Sequence, residues 1–398
     1  MPAPITPPPA SPAPVTRRRF LAAGAAGAAG AAGAVAAGTV ESGMSANAAP
    51  VAERPAADAA APATAVRRRG IPLGFDNFAV RALGWNARQL VDHAAKLGCD
   101  SLFITDFGPL EGRFDDAALG DLRRYAADKG VAIALGSWSI CPTAKRFKKD
   151  WGTAEEHLAL GIRMARAVGS RAFRVILGSG EDRLGEGGIE QRIADTVKVL
   201  KSQRSAAVDA GVKIAVENHA GDLQSRELLG LVEEAGPDFV GVNFDSGNAC
   251  WTLEDPVSAL AVLAPHVVTT SLRDTMLWES ADGVTAQWTA MGDGCTDLAA
   301  FFDLFEKSCP GVTVHIETIS GFPRELPLFK PDFWKAYPRF PAADMAGFLA
   351  LARRGRRIEP FAPPAGADRR ASEQAFQLAD LERSIRHCRG VLGLGMRG

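Results

Sequence analysis

Three apolar runs in this 398-residue chain end on an acid: residues 214–216 lead into Glu217, 242–244 into Asp245, and 314–316 into Glu317. A fourth run, 266–272, is followed by Arg273 and Asp274, with Ser271 just before the end of the run. Carboxylates gathered at one place repel one another and raise one another's pKa unless something positive sits among them. The simplest remedy is a divalent cation held by oxygen ligands. One acid at a strand end is equally well read as a helix cap; three of them argue for chemistry. His219 lies two residues past Glu217 and shares its face, because strand side chains repeat every two residues. His315 stands in the same relation to Glu317, one layer deeper, and reads as a hydrogen-bonded core histidine.

The elements that would carry these residues begin at residue 70. Apolar runs at 71–80, 101–106, 131–138, 171–178, 212–217, 238–245, 266–272 and 312–317 alternate with stretches of helical spacing. Those helical stretches include 86–98, 115–129, 153–168, 189–210, 223–235, 256–264, 297–308 and about 343–353. Short continuous strands between amphipathic helices mean a parallel sheet covered on its outside. Eight such units fit a closed (β/α)₈ barrel, the TIM barrel, better than an open sheet. No phosphate-cradling glycine signature follows the first run. The Gly-rich stretch 178–188 lacks the Lys-Ser/Thr of a phosphate loop and reads as a loop at the barrel mouth. In such a barrel the active site lies at the C-terminal ends of the strands, so the acids on runs five, six and eight converge there.

The ends of the chain differ from its middle. Residues 1–69 are rich in Ala, Gly and Pro. Arg17 and Arg18 precede an uncharged stretch and a small-x-small site at Ala46 and Ala48. That order reads as a twin-arginine export signal over 1–48 and a disordered linker over 49–69. The expected location is periplasmic or extracellular, without a stable membrane span. The barrel is expected over 70–354, and a C-terminal extension with a helix over 355–398 that packs on the barrel or on a partner. A net charge of −1 gives no case for nucleic acid. The six scattered cysteines contain no CxxC pair and read as small core residues.

The runs "VENHAGDLQSRELLGLVEEAGPDFVGVNFDSGNACWTLEDP", "HVVTTSLRD", "GDG" and "HIET" resemble the xylose-isomerase-like TIM-barrel superfamily. The segment "ISGFPRELPLFKPDFWKAYPRF" resembles a branch that includes decarboxylases of oxo-sugar acids. The resemblance implies a divalent metal, Mn or Mg rather than Zn, held by Glu217, Asp245 and Glu317. Ser271 stands where the family carries a ligating His, so a water or Gln287 is expected to complete the shell. It further implies a sugar isomerase or epimerase working on a ketose through an enediolate. Glu217 and Glu317 would exchange the proton, His219 would assist, and Arg273, Asn248 and Trp334 would meet the substrate. Phe322, Phe333, Trp334 and Tyr337 would form a lid. The alternatives are decarboxylation of a 3-oxo sugar acid and a non-catalytic carbohydrate-binding barrel. The expected partner is a small carbohydrate, with homo-oligomerisation left open.

Overall fold

The structure is a computed structural model and describes residues 66–397. The expected export signal and most of the expected linker therefore lie outside the described residues. The last residues of that linker belong to the fold. Arg67 and Arg69 pair with Glu306, and the Arg68 guanidinium donates to the Gly395 carbonyl at 2.6 Å.

Eight parallel strands form the barrel: β1 (Leu73–Asp76), β2 (Ser101–Ile104), β3 (Ala132–Ser139), β4 (Ala172–Ile176), β5 (Lys213–Glu217), β6 (Val240–Phe244), β7 (Val267–Thr270) and β10 (Val314–Ile316). Each strand from β1 to β6 pairs with the next, and β10 pairs with β1. Leu272, just beyond β7, bridges to Ile316 and joins the remaining gap. Its N–H donates to the His315 carbonyl at 2.7 Å, and its carbonyl accepts from the Glu317 N–H at 2.9 Å. That pairing sets the height of Arg273 against Glu317. Strands β1, β2, β4, β6 and β10 are buried along their whole length, as expected of strands covered by side chains inside and helices outside.

The helices start and stop where local chemistry dictates. Thr153 caps α3 (Ala154–Val168) in a reciprocal box with Glu156, and Gly169 ends it at φ 81°. Asn86 caps α1 (Ala87–Lys96) in the same way with Gln89. The first expected strand is shorter than its apolar run. Asp76 accepts the Phe78 N–H at 2.8 Å and turns 77–83 into a 3-10 segment.

One expectation is corrected. The stretch after the seventh run, expected to be loop, holds β8 (Asp274–Ser280) and β9 (Gly283–Thr289). These pair antiparallel with each other, and β9 also pairs antiparallel with β11 (Pro323–Leu326), which lies in the expected lid. Helix α10 (Ala342–Arg354) packs on this small sheet. The 22-residue α11 (Arg369–Gly390) lies on the segment 77–83, where the Ala82 N–H donates to Gln377 at 2.8 Å. The C-terminal extension is thus bound to the barrel. All six cysteines are free, five of them buried. No helix among the described residues is long and apolar enough to cross a membrane.

Candidate active site

Glu217 closes β5, Asp245 follows β6, and Glu317 follows β10; one oxygen from each lies within 4.8 Å of the others. The strands bring them together because all three residues stand at the same end of the barrel. They are fully or nearly fully buried. Asp245 does serve as a helix cap: its Oδ1 accepts from Gly247 and Asn248 backbone N–H groups at 2.8 and 3.0 Å, opening α7 (Ser246–Trp251). Its other oxygen faces the cluster, where it accepts from the Asn248 amide at 2.6 Å. Asn248, expected at the substrate, is tied into the floor instead and also donates toward Glu217 at 3.4 Å.

Two residues absent from the sequence-based set complete this floor. Arg174, in the middle of β4, donates from Nε to Glu217 Oε2 at 2.5 Å and from Nη1 to the Ser137 carbonyl at 2.9 Å. Asp76, at the end of β1, accepts from the Thr105 hydroxyl at 3.0 Å and from the Ser271 hydroxyl at 3.3 Å. Arg174 was visible as an anomaly, an arginine inside an apolar strand; Asp76 lies within the apolar run 71–80 and was not. Arg273 joins the far side, its Nη2 donating to both Asp245 and Glu317.

Four acids and two guanidinium groups share this buried space, and their titration follows from it. Burial pushes Asp76 and Asp245 well above the usual carboxylate range, and it raises Glu317 too, against the pull of Arg273. Glu217 goes the other way. Burial would raise it, but Arg174 alongside holds it below its ordinary value. Burial drives His219 down to about 4, although Glu217 nearby works to raise it. Its ring is neutral at pH 7, and Nδ1 lies 2.8 Å from the Gly178 carbonyl. A carbonyl only accepts, so the proton sits on Nδ1 and Nε2 is left as an acceptor.

A ladder of flat groups leads away from Arg273. Its guanidinium lies over Trp288 at 4.1 Å, Trp288 stacks on Trp251 at 4.0 Å, and Arg324 covers the other side of Trp251 at 4.0 Å. Phe322 meets both indoles edge-on, so that part of the expected lid reaches the site. Trp334 does not. Its indole N–H donates to the Leu328 carbonyl at 2.8 Å and its ring packs on Phe333 and Phe340. Tyr337 lies beneath Arg183. A cleft of about 180 Å³ is lined by Arg81, Thr318, Gly321 and Phe322 among others; it includes the residue after Glu317 but none of the converging acids themselves. That is smaller than the pockets that take drug-sized ligands, and it suits a small polar molecule.

The expected metal shell meets two corrections. Gln287 is adjacent on β9 to Trp288, whose ring covers Arg273, and neighbouring strand residues face opposite ways. Its amide donates outward to the Glu359 carbonyl at 3.2 Å, so it is not brought to the carboxylates. The Ser271 hydroxyl is engaged with Asp76 and Asn243. By spacing, the three carboxylates could hold an ion. Yet both oxygens of Asp245 already accept hydrogen bonds, and Arg273 bridges Asp245 to Glu317. No imidazole nitrogen joins the acids that converge. As they stand, these residues do not fit a resident divalent ion.

Comparison with known proteins agrees with the barrel. The protein YihM of Escherichia coli K12, itself uncharacterized, is 26% identical over 148 residues, covering 36% of this chain; the match spans only 44% of YihM. The 3-oxo-isoapionate decarboxylase of Pectobacterium atrosepticum is 22% identical over 213 residues, covering 53% of this chain and 70% of its own. A D-psicose 3-epimerase structure aligns with 81% of this chain and all of its own at 14% identity and a TM-score of 0.53. An IolI structure with a zinc atom covers 71% of this chain and 96% of its own at 17% identity and a TM-score of 0.49, too slight a likeness to carry its metal across. The family model described as xylose isomerase-like TIM barrel matches residues 91–340. With eight parallel strands and a match over most of its length, this chain belongs to the xylose isomerase-like TIM barrel family.

Proposed function

We propose that the protein is an enolising enzyme of the isomerase or epimerase type, acting on a small keto-sugar. One observation carries this reading. Glu217 and Glu317 stand on one buried floor at the strand ends, with Glu217 held ionised by Arg174 while burial pushes Glu317 toward its acid form. Environments that drive paired carboxyl groups apart in this way are how a site obtains a base and an acid at the same pH.

The base, Glu217, takes a proton from the carbon next to the substrate carbonyl. The C–H electron pair becomes the enediolate double bond, and the carbonyl oxygen becomes an oxyanion. Arg273 is the cation beside these acids; its Nε and Nη1 are buried without an acceptor among the described residues, and its charge lies where that oxygen becomes negative once the covering groups move aside. A guanidinium suits a pair of oxygens in one plane. Glu317 then returns a proton to carbon, and Nε2 of neutral His219 can accept one from a substrate hydroxyl.

A second reading shares the same enediolate. If the substrate is a 3-oxo sugar acid, the bond to its carboxylate breaks, its electron pair enters the enediolate, and CO₂ leaves in place of the proton. Arg324 favours this variant: it is a half-buried guanidinium stacked on Trp251, and it gives the mouth a cation for a carboxylate. The 3-oxo-isoapionate decarboxylase among the relatives points the same way. Purified protein incubated in heavy water with a panel of ketoses and oxo-sugar acids tests both by proton NMR. Deuterium at a carbon beside the carbonyl supports the first, and CO₂ release with deuterium replacing the lost carboxylate supports the second. Binding without either makes the barrel a carbohydrate-binding protein.

A further inference from the structure

A guanidinium and a metal ion cannot occupy the same point between two carboxylates. Nη2 of Arg273 lies at that point, bonded to Asp245 Oδ2 and Glu317 Oε2 together. The remaining oxygens leave little room for a ligand shell. Asp245 Oδ1 is taken by two backbone N–H groups, and Glu217 Oε2 by Arg174 at 2.5 Å and Asn243 at 2.9 Å.

The arginine is held along its whole length. The Ser246 hydroxyl donates to the Arg273 carbonyl at 2.5 Å and accepts its N–H at 3.0 Å, which fixes the backbone. Gly247 clears space for the stem, since a Cβ there would stand 2.5 Å from Arg273 Cγ and 2.6 Å from Cδ. Trp288 covers the guanidinium at 4.1 Å, and its indole N–H is anchored on the Gly247 carbonyl at 3.0 Å. Glycine, serine and tryptophan thus form a fitted channel for one cation, which is 2% exposed.

We infer that Arg273 supplies the cation of this site, so that the converging carboxylates are bridged by a guanidinium and the barrel works without a divalent metal. Arginine is suited to the task because it stays charged at every relevant pH and is weakly hydrated for its size. It does two things an ion would do. It holds Asp245 and Glu317 together, and with Nε and Nη1 buried and unpaired it keeps a positive charge at the floor where a substrate oxygen would become negative. Only that second role rests on the function proposed above.

The test needs no substrate. The full chain, purified without added metal or chelator, is assayed for Mn, Zn, Co and Mg by plasma emission and then titrated calorimetrically with MnCl₂ and ZnCl₂. The expected result is far less than one equivalent of metal and no one-to-one binding isotherm. In Arg273→Gln, the vacated carboxylates should bind Zn or Mn on the order of 10-fold or more tightly than wild type. That gain should vanish in the double variant with Asp245→Asn. One equivalent of metal in the wild type, or an unfolding midpoint that drops when it is treated with EDTA, overturns the inference even if the variant does not fold. A folded Arg273→Gln with no gain in affinity also overturns it. Deuterium exchange by wild type as purified, without EDTA, separately reports the proposed enolisation, so either idea can fail while the other stands.

Discussion

Replacing Gly247 by Ala adds one methyl group and strikes the arginine channel directly. The new Cβ would stand 2.5 Å from Arg273 Cγ, 2.6 Å from its Cδ and 2.8 Å from Trp288 Nε1. Carbon atoms rest comfortably at about 3.5–4.0 Å, so the stem must move by roughly an ångström. Trp288 blocks one direction, and the head is anchored on two acids. Overpacking of this kind costs about 1–3 kcal/mol. If the guanidinium is drawn off Asp245 and Glu317, loss of a buried ion pair adds about 3–5 kcal/mol. Better helix propensity in α7 returns at most about 1 kcal/mol. A net loss of about 3 kcal/mol or more is therefore expected, read as the shift in urea unfolding midpoint followed by tryptophan fluorescence. Gly230→Ala is the control: it lies in α6 (Ser225–Ala235) with nothing near its missing Cβ, so it should gain about 0.5–1 kcal/mol. A Gly247→Ala protein within about 2 kcal/mol of wild type would refute the channel, since a clash alone without loss of the pair predicts about 0–2 kcal/mol after the helix gain is counted.

Three further outcomes are expected. Burial raises Glu254 to about 7 while Ser225 and Thr252 donate to it, so the folded chain keeps a proton that the unfolded chain loses near pH 4. Folding then binds the extra proton between about pH 4 and 7, and stability falls as pH rises through that window. Glu254→Gln should remove this fall and gain on the order of 3 kcal/mol over wild type at pH 8, measured by denaturant unfolding across pH. Arg324→Ala should raise KM for an anionic sugar about 10-fold or more while leaving a neutral ketose unaffected, as steady-state kinetics with both would show. Export through residues 1–48 is a proposal: Lys at both Arg17 and Arg18 should keep the precursor inside the cell, and fractionation that finds the shortened protein outside would reject it.

The parts of this fold that could be read in advance are those written in short-range pattern. Runs of apolar residues closed by Glu217, Asp245 and Glu317 were legible because burial on both faces of a barrel strand leaves no alternation, and because a carboxylate at such a strand's end needs a reason. Asp76 obeys the same rule, yet it was hidden. Its apolar run continues through Phe78, Ala79 and Val80, so the turn that Asp76 caps does not interrupt the pattern. Arg174 could not be paired from sequence at all, because its partner Glu217 is 43 residues away and the contact exists only when β4 and β5 lie side by side. The small antiparallel sheet carried a local sign, Asp282 in the two-residue turn followed by Gly283 at the start of its second strand, of the sort that closes tight hairpins. Its third strand, β11, arrives from beyond β10, and nothing short-range announces it. The metal expectation shows the limit most clearly. Residue types placed three acids together, but whether a metal ion or Arg273 neutralises them depends on how Gly247 and Trp288 shape the path of one side chain.

Deuterium incorporation is the most direct measurement of what this barrel does. Wild type and Glu317→Gln, as purified, are incubated with each keto-sugar and oxo-sugar acid in heavy water, and substrate protons are followed by NMR. Wild type should exchange the proton beside the carbonyl, or release CO₂ with deuterium taking its place. Glu317→Gln, unable to return a proton, should be slower by about 100-fold or more. No exchange and no CO₂ with any substrate that binds, or equal rates for the two proteins, would contradict the enolising role of this site.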